Sequence, residues 1–359
     1  MARNLATIQT ISNLEPIPNA DNIIKCTVLG WQCIVAKKDN LSVGDKVIFV
    51  EVDSLMPAKP EYEFLKERKY RIRTIKLRGT VSQGLVLPLS YLPKGNYGVG
   101  DDVSDKLGVR KYDPQADLEA KMLHERTDRQ KNKVSKFLMR YGWFRRFFSF
   151  GNRATFPSFI RKTDELRIQL FPDICEEKRG MVFDVTEKLD GQSATYFLVK
   201  SKGWFGKVKY SFGVCSRNLL LPNPNKSSYW TVAKNLNIEA VLRDLIEKDD
   251  FVVLQGEILG QGIQGNKYHI DGCDFRAFNL IVPLGRFEYG EMSALLSNRG
   301  VNCVPYLGTW VLPDTIQECV NYAEGGSTVY AMPREGVVIR NGDFSVKIIN
   351  PIFLLKYEE

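Results

Sequence analysis

Two kinds of patterning divide the chain. Up to about residue 105, short strand-like runs such as Cys26–Ala36, Val43–Val50 and Lys76–Leu85 are separated by turn signals at Pro18-Asn19, Val43-Gly44-Asp45, Lys94-Gly95-Asn96 and Val99-Gly100-Asp101. Short strands at this spacing predict a small all-β barrel. From residue 156 onward, strand-like runs alternate with helical stretches. The runs are Met181–Thr186, Val208–Cys215, Phe251–Glu257, Asp274–Leu280, Arg334–Arg340 and Phe344–Asn350. Val232, Leu236, Val241 and Leu245 recur at helical spacing and predict one helix over 229–247. A shorter helix is predicted from Gly290 to the glycine stop at Gly300, with Met292, Leu295 and Leu296 in the core. Between these halves the texture changes. Residues 118–134 are charged and helix-permissive, and 137–150 interleave aromatics with arginines. The predicted layout is an all-β domain over 1–110, a basic and aromatic connection over 111–155, and an α+β domain over 156–359.

Composition narrows the chemistry. A chain of 359 residues has room for two domains, and 44% hydrophobic with 26% charged residues is ordinary for a globular protein. No apolar run is long enough to span a bilayer, and the first residues lack a secretory core. Seven scattered cysteines without a Cys-x-x-Cys pair, and only His124 and His269, argue against a disulfide framework and a structural zinc site. Reduced thiols and an intracellular location follow as expectations. So few histidines leave little for a Ser-His-Asp or Cys-His mechanism. Lysines, carboxylates and a bound metal are left to carry any catalysis. A net charge of +8 and a pI near 9.0 suit a polyanionic partner. Arg68, Lys69, Arg71, Arg73, Lys76 and Arg78 form a basic run around Tyr70, in which strand alternation puts Arg71 and Arg73 on one face. That run reads as a solvated face or as a phosphate contact. The 137–150 segment reads as an interdomain dock, a stacking platform for bases or a membrane-surface segment.

The most specific chemistry lies at the end of the first strand-like run of the second half, in Glu187-Lys188-Leu189-Asp190-Gly191. A lysine amine is a good nucleophile toward phosphorus when its environment removes its proton. Asp-Gly after it makes a tight turn. In order there follow Ser216-Arg217-Asn218, Gly256-Glu257, Asp274–Leu280 with Phe275 and Phe278, Arg334-Glu335-Gly336-Val337-Val338, and Phe344–Asn350 with Lys347. Lys356 stands near the end. In order, spacing and chemistry these six elements resemble motifs I, Ia, III, IIIa, IV and V of the covalent nucleotidyltransferase superfamily. That superfamily holds ATP-dependent DNA ligases, RNA ligases and mRNA capping enzymes.

The front half resembles an OB fold of the kind seen in tRNA-binding modules, through Ile17–Ile23, Cys26–Ala36, Val43–Val50 and Lys76–Leu85. DNA ligases and capping enzymes carry an OB domain after motif V. With three residues after Lys356, none is expected here. An OB domain in front of the ligase core, and the stretch Phe156–Glu165, resemble the ATP-dependent RNA ligases of the Naegleria/Deinococcus type.

That resemblance implies a mechanism. Lys188 would attack the α-phosphorus of ATP to give a lysine–AMP adduct. AMP would pass to an RNA 5′-phosphate, and a 3′-hydroxyl would then displace it. The RNA would be a nicked duplex and the enzyme a monomer. Glu335 would hold the catalytic Mg²⁺ or Mn²⁺, and Lys347 the α-phosphate. Lys188 would lose its proton to the influence of Lys347 and the metal. Phe278 would stack on adenine with Val337 or Val338 opposite. Glu257 and Asn218 would bind the ribose, and Arg217 the ribose or the incoming phosphate. The Glu187 backbone carbonyl would read the adenine amino group, with Asp190 also in the nucleotide site. A second metal would sit on the β- and γ-phosphates, where the OB domain would orient pyrophosphate. The usual second lysine of motif V is replaced by Ile349, so Lys356 is the candidate substitute. Two other readings stay open: a DNA nick-sealing or capping-type enzyme, and a non-catalytic RNA-binding protein with a degenerate core.

Overall fold

The structure is a computed structural model and describes residues 4–112, 156–202, 207–221, 227–247 and 249–357. Most of the predicted connection, and His124, lie outside the described residues.

In the N-terminal part, β1 (Ala6–Pro16), β2 (Ile23–Val28), β3 (Trp31–Ala36) and β4 (Lys46–Val50) precede β5 (Ser54–Leu55), β6 (Arg71–Ile72), β7 (Thr74–Leu77), β8 (Thr80–Gln83), β9 (Leu85–Pro88) and β10 (Arg110–Lys111). The long β1 bridges β2 and β4 in a sheet ordered β3-β2-β1-β4-β9, and β10-β5-β6 form a smaller sheet beside it. A shift of register between Ile11 and Asn13 lets β1 leave β4 and pair with β2. Such a bulge bends a sheet toward closure. Trp31, Cys33 and Val35 alternate inward with Ile11, Val47 and Phe49, forming one core cluster of this OB fold.

The C-terminal part contains β11 (Leu166–Arg167), β12 (Val182–Lys188), β13 (Gln192–Lys202), β14 (Val208–Cys215), β15 (Leu220–Leu221), β16 (Phe251–Gly260) and β17 (Cys273–Val282). After them come β18 (Gly285–Arg286), β19 (Asn302–Cys303), β20 (Tyr306–Val311), β21 (Gly336–Asn341) and β22 (Phe344–Ile349). Among the described residues they form two facing sheets. One runs β11-β22-β21-β12-β20, and the other β15-β14-β13-β16-β17-β18 with β19 on β17. Helices Ser228–Asn235 and Ile238–Leu245 cover the second sheet, packing Val232, Ile238, Val241 and Leu242 against Tyr196, Leu254 and Phe275.

The single helix expected over 229–247 is therefore two. Asn237, at φ +47°, turns left-handed between them. Asparagine tolerates that conformation well, so the hydrophobic period continues while the backbone breaks. The second predicted helix spans Tyr289–Ser297, and Gly300 follows it at φ +71°. Met292 and Leu296 are buried, and Leu295 packs beside the core.

The two parts meet along a polar seam. Gly30 N–H donates to the Gln169 carbonyl at 3.1 Å. Gln32 and Gln317 bond at 2.5 Å. A side chain at position 30 would strike Ile316 and the Gln169 backbone, which fixes a glycine there. Arg167 donates to Asp53 at 3.2 Å with its guanidinium over the Trp31 ring, while Arg71 holds the other Asp53 oxygen at 3.3 Å. Among the described residues, no helix is long and apolar enough to cross a membrane.

Candidate active site

Between the two C-terminal sheets, and closed on one side by the OB fold, lies a cavity of about 520 Å³. Strands supply most of its lining. Thr186, Glu187 and Lys188 line it from β12, Val338 and Arg340 from β21, and Lys347 and Ile349 from β22. Ser193, Glu257 and Phe278 line it from β13, β16 and β17. Asp53, Arg71, Lys111 and Tyr112 reach it from the OB side. The turn after Lys188 is tight for a visible reason: a side chain at Gly191 would lie 2.3 Å from the Ile258 carbonyl oxygen. Gly336 faces the same limit, 2.2 Å from the Ile348 oxygen.

At one end, Lys188 Nζ donates to Glu335 Oε1 at 2.5 Å. Burial presses the lysine pKa down, but the charges of Glu335 and Glu257 prevail and raise it. The structure thus corrects the expected surroundings of Lys188, whose charged neighbours here are carboxylates. Burial pushes Glu257 up to about 8, with Glu335 and Asp190 adding to it and Lys188 opposing. Burial likewise raises Glu335. Asp190 pairs with Lys267, and its N–H donates to the Tyr268 hydroxyl at 2.9 Å. Glu187 is 1% exposed, and its carboxylate accepts from the Thr328 hydroxyl and N–H at 2.7 and 2.9 Å.

A divalent cation fits this end. Glu335 Oε2 is buried with no hydrogen-bond partner. A buried carboxylate oxygen without a donor is costly unless a cation completes it. Among the described residues no three His, Cys, Asp or Glu side chains converge as a metal cage. An ion held by Glu335 would thus keep mostly water and substrate oxygens, as Mg²⁺ prefers.

The other end has the opposite sign. Asp164 accepts from Arg217 at 2.9 Å and from Lys111 and Lys347 at 3.3 Å each. Its burial alone would raise its pKa, but Lys347, Arg217 and Lys111 hold it well below the usual carboxylate range. Arg340 lies beside Glu165, 3.8 Å away, and burial lowers its pKa to about 10.

The predicted residues therefore divide. Glu187, Lys188, Asp190, Arg217, Glu257, Phe278, Glu335 and Lys347 line one cavity. Val337 does not: it is fully buried in the core behind β21, and its neighbour Val338 faces the cavity. Asn218 lies outside the lining, accepting from Lys162 at 3.4 Å. Lys356 is exposed and lies outside it too, beside Arg68, Arg73 and Lys76. Ile349 occupies its expected place in the lining. Sequence reasoning missed Asp164, Lys267, Arg340 and the OB residues Asp53, Arg71 and Lys111 as parts of one site. The available signals were the basic run around Tyr70 and the acidic pair Asp164-Glu165 within 156–165.

Comparisons with known proteins agree with this architecture. A family model described as an OB-fold domain matches residues 5–89, and one described as RNA ligase matches residues 182–356. No curated protein matches in sequence. Among solved structures, Naegleria gruberi RNA ligase with PPi is 31% identical, with a TM-score of 0.80 over 99% of each chain. A variant of that ligase with ATP and Mn is also 31% identical, with a TM-score of 0.80 over 99% of this chain and 100% of that one. Another, with AMP and Mn, is 30% identical at a TM-score of 0.80, over 99% of each. Similarity at this level over nearly the whole of both chains covers the OB fold, both sheets of the cavity and the segments that close it, and on it the chain belongs to the RNA ligase family.

Proposed function

We propose that the chain is an ATP-dependent RNA ligase that joins a 3′-hydroxyl to a 5′-phosphate through an adenylate on Lys188. The observation that carries this reading is Lys188 at 2.5 Å from Glu335, whose second oxygen has no partner, in a cavity that also holds Glu257 and Phe278. Lys188 Nζ forms a bond to the ATP α-phosphorus as the bond from phosphorus to the β-phosphate bridging oxygen breaks, and pyrophosphate leaves. The amine must first lose its proton to solvent, and its carboxylate neighbours oppose that loss. Glu335 would hold a divalent cation, Mg²⁺ or Mn²⁺, which when bound would offset the carboxylate charge and act as a Lewis acid toward phosphate.

The chain's own residues do the remaining positioning. Lys347 and Arg217 exchange Asp164 for phosphate oxygens and offset charge that grows in the transition state. Phe278 offers its face to adenine and Val338 the opposite wall. Glu257 accepts from ribose hydroxyls. Lys267, inside the cavity, is a better placed second cation than Lys356. AMP then moves to an RNA 5′-phosphate, and attack by the 3′-hydroxyl releases it. A nicked duplex is the substrate proposed, and a monomer the working form.

Label transfer tests this reading. Wild-type protein mixed with α-labelled ATP and Mg²⁺ should carry label through a denaturing gel, Lys188→Ala should not, and GTP should not label either. Unlabelled wild-type protein, shown to be folded and free of AMP, would overturn it. Sealing of all-DNA nicks with all-RNA nicks left open would overturn the RNA assignment alone.

A further inference from the structure

Between the helix Ile316–Ala323 and β21, residues 324–335 form neither helix nor strand, apart from one bridge that pairs Gly326 with Pro333. Glu335 is the last residue of that irregular stretch. The ladder of β21 with β22 begins just after it, at Gly336 opposite Ile349. Pairing of the named strands therefore stops short of the backbone that carries the Glu335 carboxylate.

Asn350 takes over where the ladder stops. Its N–H donates to the Glu335 carbonyl at 2.9 Å, and its side-chain amide donates to the Arg334 carbonyl at 2.9 Å. Two successive carbonyls of the stretch thus end on one residue. Asn350 Oδ1 accepts from the Ile352 N–H at 2.9 Å and so caps the helix Pro351–Tyr357. A carbonyl on one side and an N–H on the other leave the amide a single orientation. Asn350 is fully buried, where an amide without those partners would be costly. On the other flank, the Arg334 guanidinium donates to the Tyr322 and Ala323 carbonyls at 2.6 and 3.1 Å, at the end of the preceding helix. Asn350 itself does not line the cavity, but it joins two elements that do. Lys347 and Ile349 reach it from β22, and Phe353, Leu354 and Tyr357 from the helix that Asn350 caps.

We infer that Asn350 is a positioning residue for the metal carboxylate. By holding the backbone of Arg334 and Glu335, it sets where the unpartnered Glu335 Oε2 lies, and through that oxygen the affinity for a divalent cation. The inference rests on the reading of Glu335 as the metal ligand. Residues that orient a metal ligand typically change metal affinity roughly 10- to 100-fold when they are replaced.

Two replacements in the full chain separate this role from helix capping. Asn350→Ala removes both side-chain bonds. Asn350→Ser keeps an oxygen for the Ile352 N–H but is too short to reach the Arg334 carbonyl. Glu335→Gln is the reference for loss of the ligand. Mn²⁺ alone is titrated into AMP-free protein, and its binding is read from water proton relaxation, with thermal unfolding followed alongside. Label transfer from ATP is measured over the same metal series. Asn350→Ser should stay folded and show the Glu335-dependent part of Mn²⁺ binding weakened about tenfold. It should adenylylate slowly at low metal and return to within about threefold of the wild-type rate at saturating metal. Asn350→Ala should show the same metal defect together with a lower Tm. Wild-type Mn²⁺ affinity in Asn350→Ser, or a loss of rate that saturating metal does not recover, overturns the inference. Failure of the metal reading would show separately, as Mn²⁺ binding by Glu335→Gln equal to wild type. Failure of the ligase reading would show as absence of label in the wild type, while the Mn²⁺ titration still reports on Asn350.

Discussion

The two ends of the cavity are built as electrostatic opposites. Around Lys188, one cation meets the carboxylates Glu335, Glu257 and Asp190, and the carboxylates prevail. Around Asp164, one carboxylate meets the cations Lys347, Arg217 and Lys111, and the cations prevail. The first end keeps a buried Glu335 oxygen without a hydrogen-bond partner, which suits a divalent cation, and the second gathers cations, which suits phosphate. A nucleoside triphosphate with its metal is a ligand of that polarity, so the charge pattern orients the substrate before any hydrogen bond does. The ends also differ in origin. The carboxylate end comes from the C-terminal sheets, whereas the cation end recruits Lys111 from the OB side, with Arg71 lining the same cavity.

The largest effect expected is at the nucleophile. Lys188→Ala should lower adenylylation by at least roughly a thousandfold in the label-transfer assay, because no other group takes over a lost nucleophile. Glu335→Gln keeps the shape of the first end but removes its anionic oxygen. It should lower the adenylylation rate by roughly a hundredfold, with the loss seen as a higher Mg²⁺ or Mn²⁺ requirement in a metal titration. An unchanged metal requirement would separate Glu335 from the cation.

The opposite end is probed by pH. Asp164 in the unfolded chain sits near 3.8 and in the folded protein lies below that. Its contribution to stability is therefore complete above the unfolded value and is lost as pH falls through the region below it. Asp164→Asn should flatten the acid limb of a Tm-against-pH curve and leave its alkaline limb in place. Equal curves for the two proteins would break the symmetry drawn between the ends. The seam that brings the OB residues to the cavity is tested with Asp53→Ala. That change leaves Arg167, 7% exposed, without its carboxylate, and should cost about 2–3 kcal/mol in urea unfolding. The smallest effect distinguishes two lysines: Lys267→Ala should slow adenylylation about tenfold, and Lys356→Ala about twofold at most.

Much of this site was legible because its chemistry is written in short local stretches. Glu187 to Gly191 sits on one strand and its turn, and the later motifs sit on strands or at their ends, Ser216–Asn218 just after β14 and Glu335 just before β21. A strand places alternate residues on one face, so motif spacing translates into cavity lining. The same rule explains the limit at Val337 and Val338, two adjacent apolar residues with nothing local to say which faces inward. That was settled by pairing, since β21 lies between β12 and β22 with Val337 turned to the core. The helix over 229–247 shows a similar limit. Its hydrophobic period runs through a left-handed Asn237 that period alone does not register.

The sequence by itself determined the nucleophile, the order of the motif strands, the OB fold in front and the positive charge that calls for a polyanion, because each depends on residue type and near-neighbour spacing. Tertiary structure decided what faces what. It gave Lys188 carboxylates for neighbours, drew Asp164, Lys111, Arg217 and Lys347 together from four distant segments, and sent Lys356 outside the cavity, beside Arg73, while Arg71 turned into it. Those outcomes depend on how two sheets and a barrel pack, and packing joins residues far apart in the chain through surfaces that no local pattern encodes.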